Sequence, residues 1–110
     1  MANLIPKRVK LSGLDPAYTA ADAAGDIIPT SDHVFLHVKN AHATVACTVT
    51  VLTPGNTQFG VAQPDVTVVV PALGERLIGP LPSDLHDKAF KGVKVTYSVV
   101  TSVTRSAITI

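Results

Sequence analysis

The chain has 110 residues, a net charge of +1, and charged residues at 15% against the roughly 25% usual in soluble proteins. That length suits one domain with a modest core. The weak charge balance, the scattered Lys and Arg and the absence of Trp exclude the basic, aromatic-interleaved footprint of a nucleic-acid binder.

In chain order, residues 3–12 predict a short strand or extended arm, with Pro6, Lys7 and Arg8 fitting an edge better than a sheet centre. Residues 13–32, rich in Ala, Asp, Gly, Pro and Thr, predict a loop or arm. Within them "TAADAAGD" could make one helical turn, with Thr19 as N-cap and Gly25 as C-cap, too short to be a stable helix alone. From residue 33 the pattern is that of strands. "HVFLHVKN" sets Val34, Leu36 and Val38 on one face; "TVACTVTVLT" sets Val45, Cys47, Val49 and Val51 on one face. Joined by the short "NAHA", the two predict a hairpin. "PGN" at 54–56 is a turn, and "TQFGVAQPD" is a link that could hold a brief edge strand. "VTVVVP", "ERLI", "GVKVTYSVV" and "SVTRSAITI" supply four further strands, with Val93, Val95, Tyr97 and Val99 sharing a face. Between them "PSDLHDKAFKG" predicts a polar loop with one helical turn capped by Ser83 or Asp84.

These elements predict an all-β fold: an antiparallel β-sandwich or small barrel of about six to seven short strands, with an irregular N-terminal arm. The expected division is residues 1–30 as arm and loop and 31–110 as the β-domain.

Each candidate chemistry meets an objection in the residues. Gly74 and Gly79 have the spacing of P-loop glycines, but Pro80 and Leu81 stand where Lys and Ser/Thr would hold phosphate and Mg²⁺. His33 and His37, on a strand, lie about 13 Å apart, too far to share one metal. "SDH" at 31–33 and "SDLHD" at 83–87 gather triad residue types but not triad geometry, and there is no "GxSxG" elbow. Asp15, Asp22 and Asp26 miss the calcium-loop spacing. Cys47, the single cysteine, permits no internal disulfide and reads as a small buried hydrophobe. The residues therefore predict no enzyme and no cofactor. No apolar run reaches the length of a membrane span, and "MANLIPKRVKLSG" lacks the apolar segment of a signal peptide, so assembly in a cytoplasm is expected. A 46% hydrophobic content with little charge implies surface covered by a partner, copies of the chain included.

"YTAADAAGDIIPTSDHVFLHVKNA", "TVTVLTP", "VTVVVPALGERLIGPLP" and "VKVTYSVVTSVTRSAITI" follow one another over residues 18–110. In order and spacing they resemble a group of small virion proteins of tailed bacteriophages, encoded beside the major capsid protein. The departures are mild: "SDH" replaces an Asn-Asp-Gly-type turn, and "PALGE" replaces a shorter glycine turn. The resemblance implies a head decoration (cement) protein on the capsid surface of the virion. Its implied partners are the major capsid protein and copies of itself, a homotrimer being expected, with no nucleic acid and no membrane. The basic cluster Lys7, Arg8 and Lys10, with Ile5 and Tyr18, marks the arm as the expected capsid contact. Two rival readings are another head–tail or tail component and a carbohydrate- or receptor-binding β-sandwich. For the latter, Tyr18 and Tyr97 are the available platforms.

Overall fold

The computed structural model describes residues 2–55, 58–61, 64–82, 85–88 and 90–110. The fold is all-β. Its strands are β1 (Ala2–Asn3), β2 (Lys7–Arg8), β3 (Thr19–Ala20), β4 (Asp26–Ile28), β5 (Val34–Asn40), β6 (Cys47–Val51), β7 (Val66–Val70), β8 (Glu75–Ile78), β9 (Val93–Tyr97) and β10 (Val103–Thr109). One sheet runs β1-β4-β9-β6-β7; the other runs β2-β10-β5-β8, with β3 also on β10. Among the described residues the only parallel pairs are those of β1 with β4 and β2 with β10. The chain measures 43 × 36 × 20 Å, and the short dimension fits two sheets about 10 Å apart with their outer side chains.

Alternation of apolar and polar residues decides which faces meet. Val34, Leu36 and Val38 of β5, Cys47, Val49 and Val51 of β6, and Val93 and Val95 of β9 are all buried in the shared core. These are the faces that the period-two pattern predicts, except that Val45, expected on the same face, lies outside β6 and is exposed. Two expectations are corrected. First, β5 and β6 form no hairpin: β5 pairs with β10 and β8, whereas β6 pairs with β7 and β9. Their apolar faces look at each other across the core instead of lying side by side. The connection turns that corner through Asn40, which is buried: its Nδ2 donates to Val45 O (2.8 Å) and Val70 O (3.3 Å), and its Oδ1 accepts from His42 N (3.0 Å). Every connection from β4 to β10 except β6–β7 passes from one sheet to the other.

Second, residues 13–32 are not loop throughout. Asp26–Ile28 is a strand of the first sheet, with Asp26 and Ile28 fully buried. "TAADAAGD" makes no helical turn either: Thr19 lies in β3, and an Asx turn follows, with Asp22 Oδ1 accepting from Ala24 N (2.8 Å) and Asp22 O from Gly25 N (2.9 Å). The remainder of the N-terminal region is pinned by two-residue strands, and Ser106 Oγ, on the outward side of β10, donates to Pro16 O (2.7 Å). The link at 58–65 holds no strand among its described residues, and Ser83 and Asp84, the expected caps, lie outside them. "ERLI" is the strand β8, ended by Gly79 and Pro80.

Gly25 closes the turn into β4 at φ +94°, and a Cβ there would sit 2.7 Å from Val95 O. Gly13 has a similar φ of +100° but open space around it. Gly25→Ala therefore meets both backbone strain and a clash, whereas Gly13→Ala meets strain alone, worth about 1–3 kcal/mol. Urea denaturation of the two variants is expected to show the larger loss of stability for Gly25→Ala.

Candidate functional site

The densest polar constellation lies inside the sandwich. Asp26 on β4, Tyr97 on β9 and Arg105 on β10 all occupy inward positions, and Asp26 and Arg105 are 0% and 4% exposed. Arg105 grips the carboxylate with two prongs: Nε to Asp26 Oδ2 and Nη2 to Asp26 Oδ1, each 2.7 Å. The Tyr97 hydroxyl donates to Asp26 Oδ2 at 2.6 Å, and Arg105 Nη1 donates to Thr19 Oγ1. No buried side-chain polar atom among the described residues lacks a partner. The bond to Asp26 raises the Arg105 pKa further into the charged range. Burial first, then the hydrogen bond to Asp26, pushes the Tyr97 hydroxyl far above the usual tyrosine value. A guanidinium fixed in its charged form and a phenol fixed in its neutral form can brace two sheets; neither is free to exchange a proton with a substrate.

Sequence reasoning considered Asp26 only as a calcium ligand and did not single out Arg105. The available signal was parity: in "VTRSA" the alternation that sends Val103 and Ala107 inward sends Arg105 with them. A charge at an inward strand position requires an opposite charge in the facing layer.

The expected contact residues divide into two groups. Ile5 is 82% exposed, and Arg8 and Lys10 are exposed; Lys7 is half-buried in β2. Val9 and Leu11 are exposed as well, so the segment from Ile5 to Leu11 alternates apolar and basic side chains on the surface. Tyr18 is engaged elsewhere, on the outer face of the second sheet. Its hydroxyl shares a hydrogen bond with His37 Nδ1, and the two rings meet edge to face with centroids 5.2 Å apart. The Lys39 ammonium lies 4.1 Å from the centre of the Tyr18 ring, and Glu75 Oε2 is 3.7 Å from His37 Nε2. Burial and the Glu75 charge raise the Tyr18 pKa, opposite to what an activated nucleophile needs.

Two of the remaining candidates, Ser31 and His42, serve turns. Ser31 Oγ accepts from His33 N (3.2 Å), and His42 Nδ1 accepts from the amides of Thr44 (3.2 Å) and Val45 (3.1 Å). Cys47 is a buried free thiol, as its strand context predicts. Among the described residues no three His, Cys, Asp or Glu side chains gather as a metal site.

Two measurements check the brace. Asp26→Ala leaves the Arg105 charge buried and uncompensated, and chemical denaturation is expected to show a loss of about 3–5 kcal/mol. The folded state holds Tyr97 protonated, whereas the unfolded chain loses that proton near pH 10. The Tyr97 contribution is therefore intact below about pH 10 and declines as pH rises above it. Absorbance titration at the tyrosinate band is expected to show Tyr97 ionising together with unfolding, and Tyr97→Phe is expected to flatten the alkaline loss.

No protein-family model, no curated protein and no solved structure matches this chain.

Proposed function

We propose that the chain is a structural virion protein of a tailed bacteriophage, a decoration protein that binds the outer surface of the assembled capsid and stabilises it. The ordered motifs over residues 18–110 that resemble small phage virion proteins support the phage origin. The observation that carries the contact surface is the arm. Ile5, Val9 and Leu11 are exposed beside Lys7, Arg8 and Lys10, on a segment tethered to both sheets through β1 and β2. Such a segment suits a partner face that offers apolar grooves flanked by carboxylates. Tethering lowers the ordering cost of binding.

A cement protein performs no reaction. It binds the assembled lattice more tightly than free subunits, and mass action then stabilises the lattice. A brace buried between two sheets supplies a body that holds its shape while neighbouring subunits strain. Self-association into a trimer, with the major capsid protein as partner, belongs to the same reading. The carbohydrate-binding alternative loses support at its platforms, since the Tyr97 hydroxyl is committed to Asp26 and the Tyr18 ring carries Lys39 on one face.

The test is quantitative mass spectrometry of purified particles. Hundreds of copies per particle are expected, in fixed ratio to the major shell protein. Six to a dozen copies would point to a connector or tail component instead, and absence from particles would overturn the reading. Within it, Ile5→Asp combined with Lys10→Glu is expected to weaken capsid binding at least about tenfold with the melting temperature unchanged.

A further inference from the structure

Edge strands expose unpaired backbone donors and acceptors, and soluble proteins blunt them with charge, Pro or shortness. Three edges of this sandwich are blunted. β1, β2 and β3 have two residues each, β2 consists of Lys7 and Arg8, and β8 carries Glu75 and Arg76. The fourth edge is different. β7, Val66–Val70, is the end of its sheet, reads "VTVVV", and has neither charge nor proline.

The ladder shows which of its backbone groups face outward. Ser98 N donates to Thr48 O (2.9 Å) and Leu52 N donates to Lys94 O (3.0 Å), so the even-numbered residues of β6 point to β9. Cys47, Val49 and Val51 therefore point to β7, where they face Val70, Val68 and Val66. Thr67 and Val69 are left with N–H and C=O directed away from the sheet. The Val69 side chain is 57% exposed, and Val66 and Leu73 are exposed as well.

We propose that β7 is a homotypic interface, pairing antiparallel with β7 of a second copy of this chain about a two-fold axis. Centred on Val68, that register sets Thr67 opposite the partner's Val69 and Val69 opposite the partner's Thr67. All four outward N–H groups are then satisfied. Val66 faces the partner's Val70, so every facing pair is β-branched, the side-chain type that packs best between strands. A second copy is the occupant that this chemistry favours. A two-fold contact sets each residue against its own kind, so any charge near the axis would meet a like charge, and β7 has none. The two five-stranded sheets would join into one continuous ten-stranded sheet. This two-fold contact is separate from the trimer named above, which it cannot by itself build, and it needs no shell.

The test is sedimentation equilibrium of the purified full chain without capsid. The wild-type chain is expected to form dimers, or even-numbered assemblies built from them, at micromolar concentration. Thr67→Pro removes an outward N–H without touching the ladder to β6, and Val69→Lys places a charge beside the axis. Each is expected to raise the dissociation constant at least about tenfold, Thr67→Pro through the lost backbone hydrogen bonds and Val69→Lys through like charges brought together near the axis. Near-UV circular dichroism and melting temperature are expected to stay as in the wild type. In a third variant, Thr67→Cys with Val69→Cys, oxidation is expected to link two chains. A chain that stays monomeric to about 100 μM, or an oligomer that both single variants leave intact, would overturn the proposal while leaving the copy-number test of decoration standing.

Discussion

The two sheets are held in register by a charge pair that neither could bury alone. Arg105 projects from the centre of one sheet and Asp26 from the other, and water is excluded from both. Left unpaired, either would cost more than the packing around it returns. Paired with two prongs, and with Tyr97 and Thr19 taking remaining hydrogen-bonding positions, the group acts as a geometric lock. Sheets packed only through Val and Leu can slide, since one apolar contact resembles the next. A bidentate guanidinium–carboxylate pair accepts one separation and one angle.

That lock explains the part played by the N-terminal region. Asp26 stands on β4, which the chain enters through the Asx turn at Asp22–Gly25. Thr19 stands on β3, beside Arg105. A segment rich in Ala, Asp and Gly thus supplies one charge of the brace and a further acceptor for the other. The same segment carries Pro16 and Tyr18 across the outer face of the second sheet, where Ser106 and His37 receive them. The arm is scaffold over its second half; over its first, Ile5, Arg8, Val9, Lys10 and Leu11 present exposed side chains from a backbone that β2 pairs to β10.

Strand identity was legible in the sequence wherever alternation ran for four residues or more. Val34–Val38, Cys47–Val51 and Val93–Tyr97 show their inward faces in the residues themselves. Pairing was not legible. A six-residue connection such as 41–46 can fold back within a sheet or cross to the facing one, and period-two patterning is the same in both cases. What decides is Asn40, whose amide ties residues 42, 45 and 70 together, and whose effect depends on tertiary neighbours. Asp26–Ile28 escaped notice because three residues are too few to establish a period. Arg8 and Lys10 were legible as surface by their charge, whereas the exposure of Val9 and Leu11, which alternate with them, was not. Tyr18 was legible as an aromatic contact candidate, but its partners, which come from β5 and β8, were not.

Crossing connections carry a kinetic consequence. With β6–β7 the only sequential pair among the longer strands of the described residues, almost every ladder joins residues far apart in the chain. β4 waits for β9, β5 waits for β10, and the brace itself spans from residue 26 to residue 105. Little native structure can form before β10 is available, because that strand lies inside the second sheet. Loop-closure entropy is spent before most contacts form, so folding belongs in the slow, all-at-once class typical of non-local β topologies.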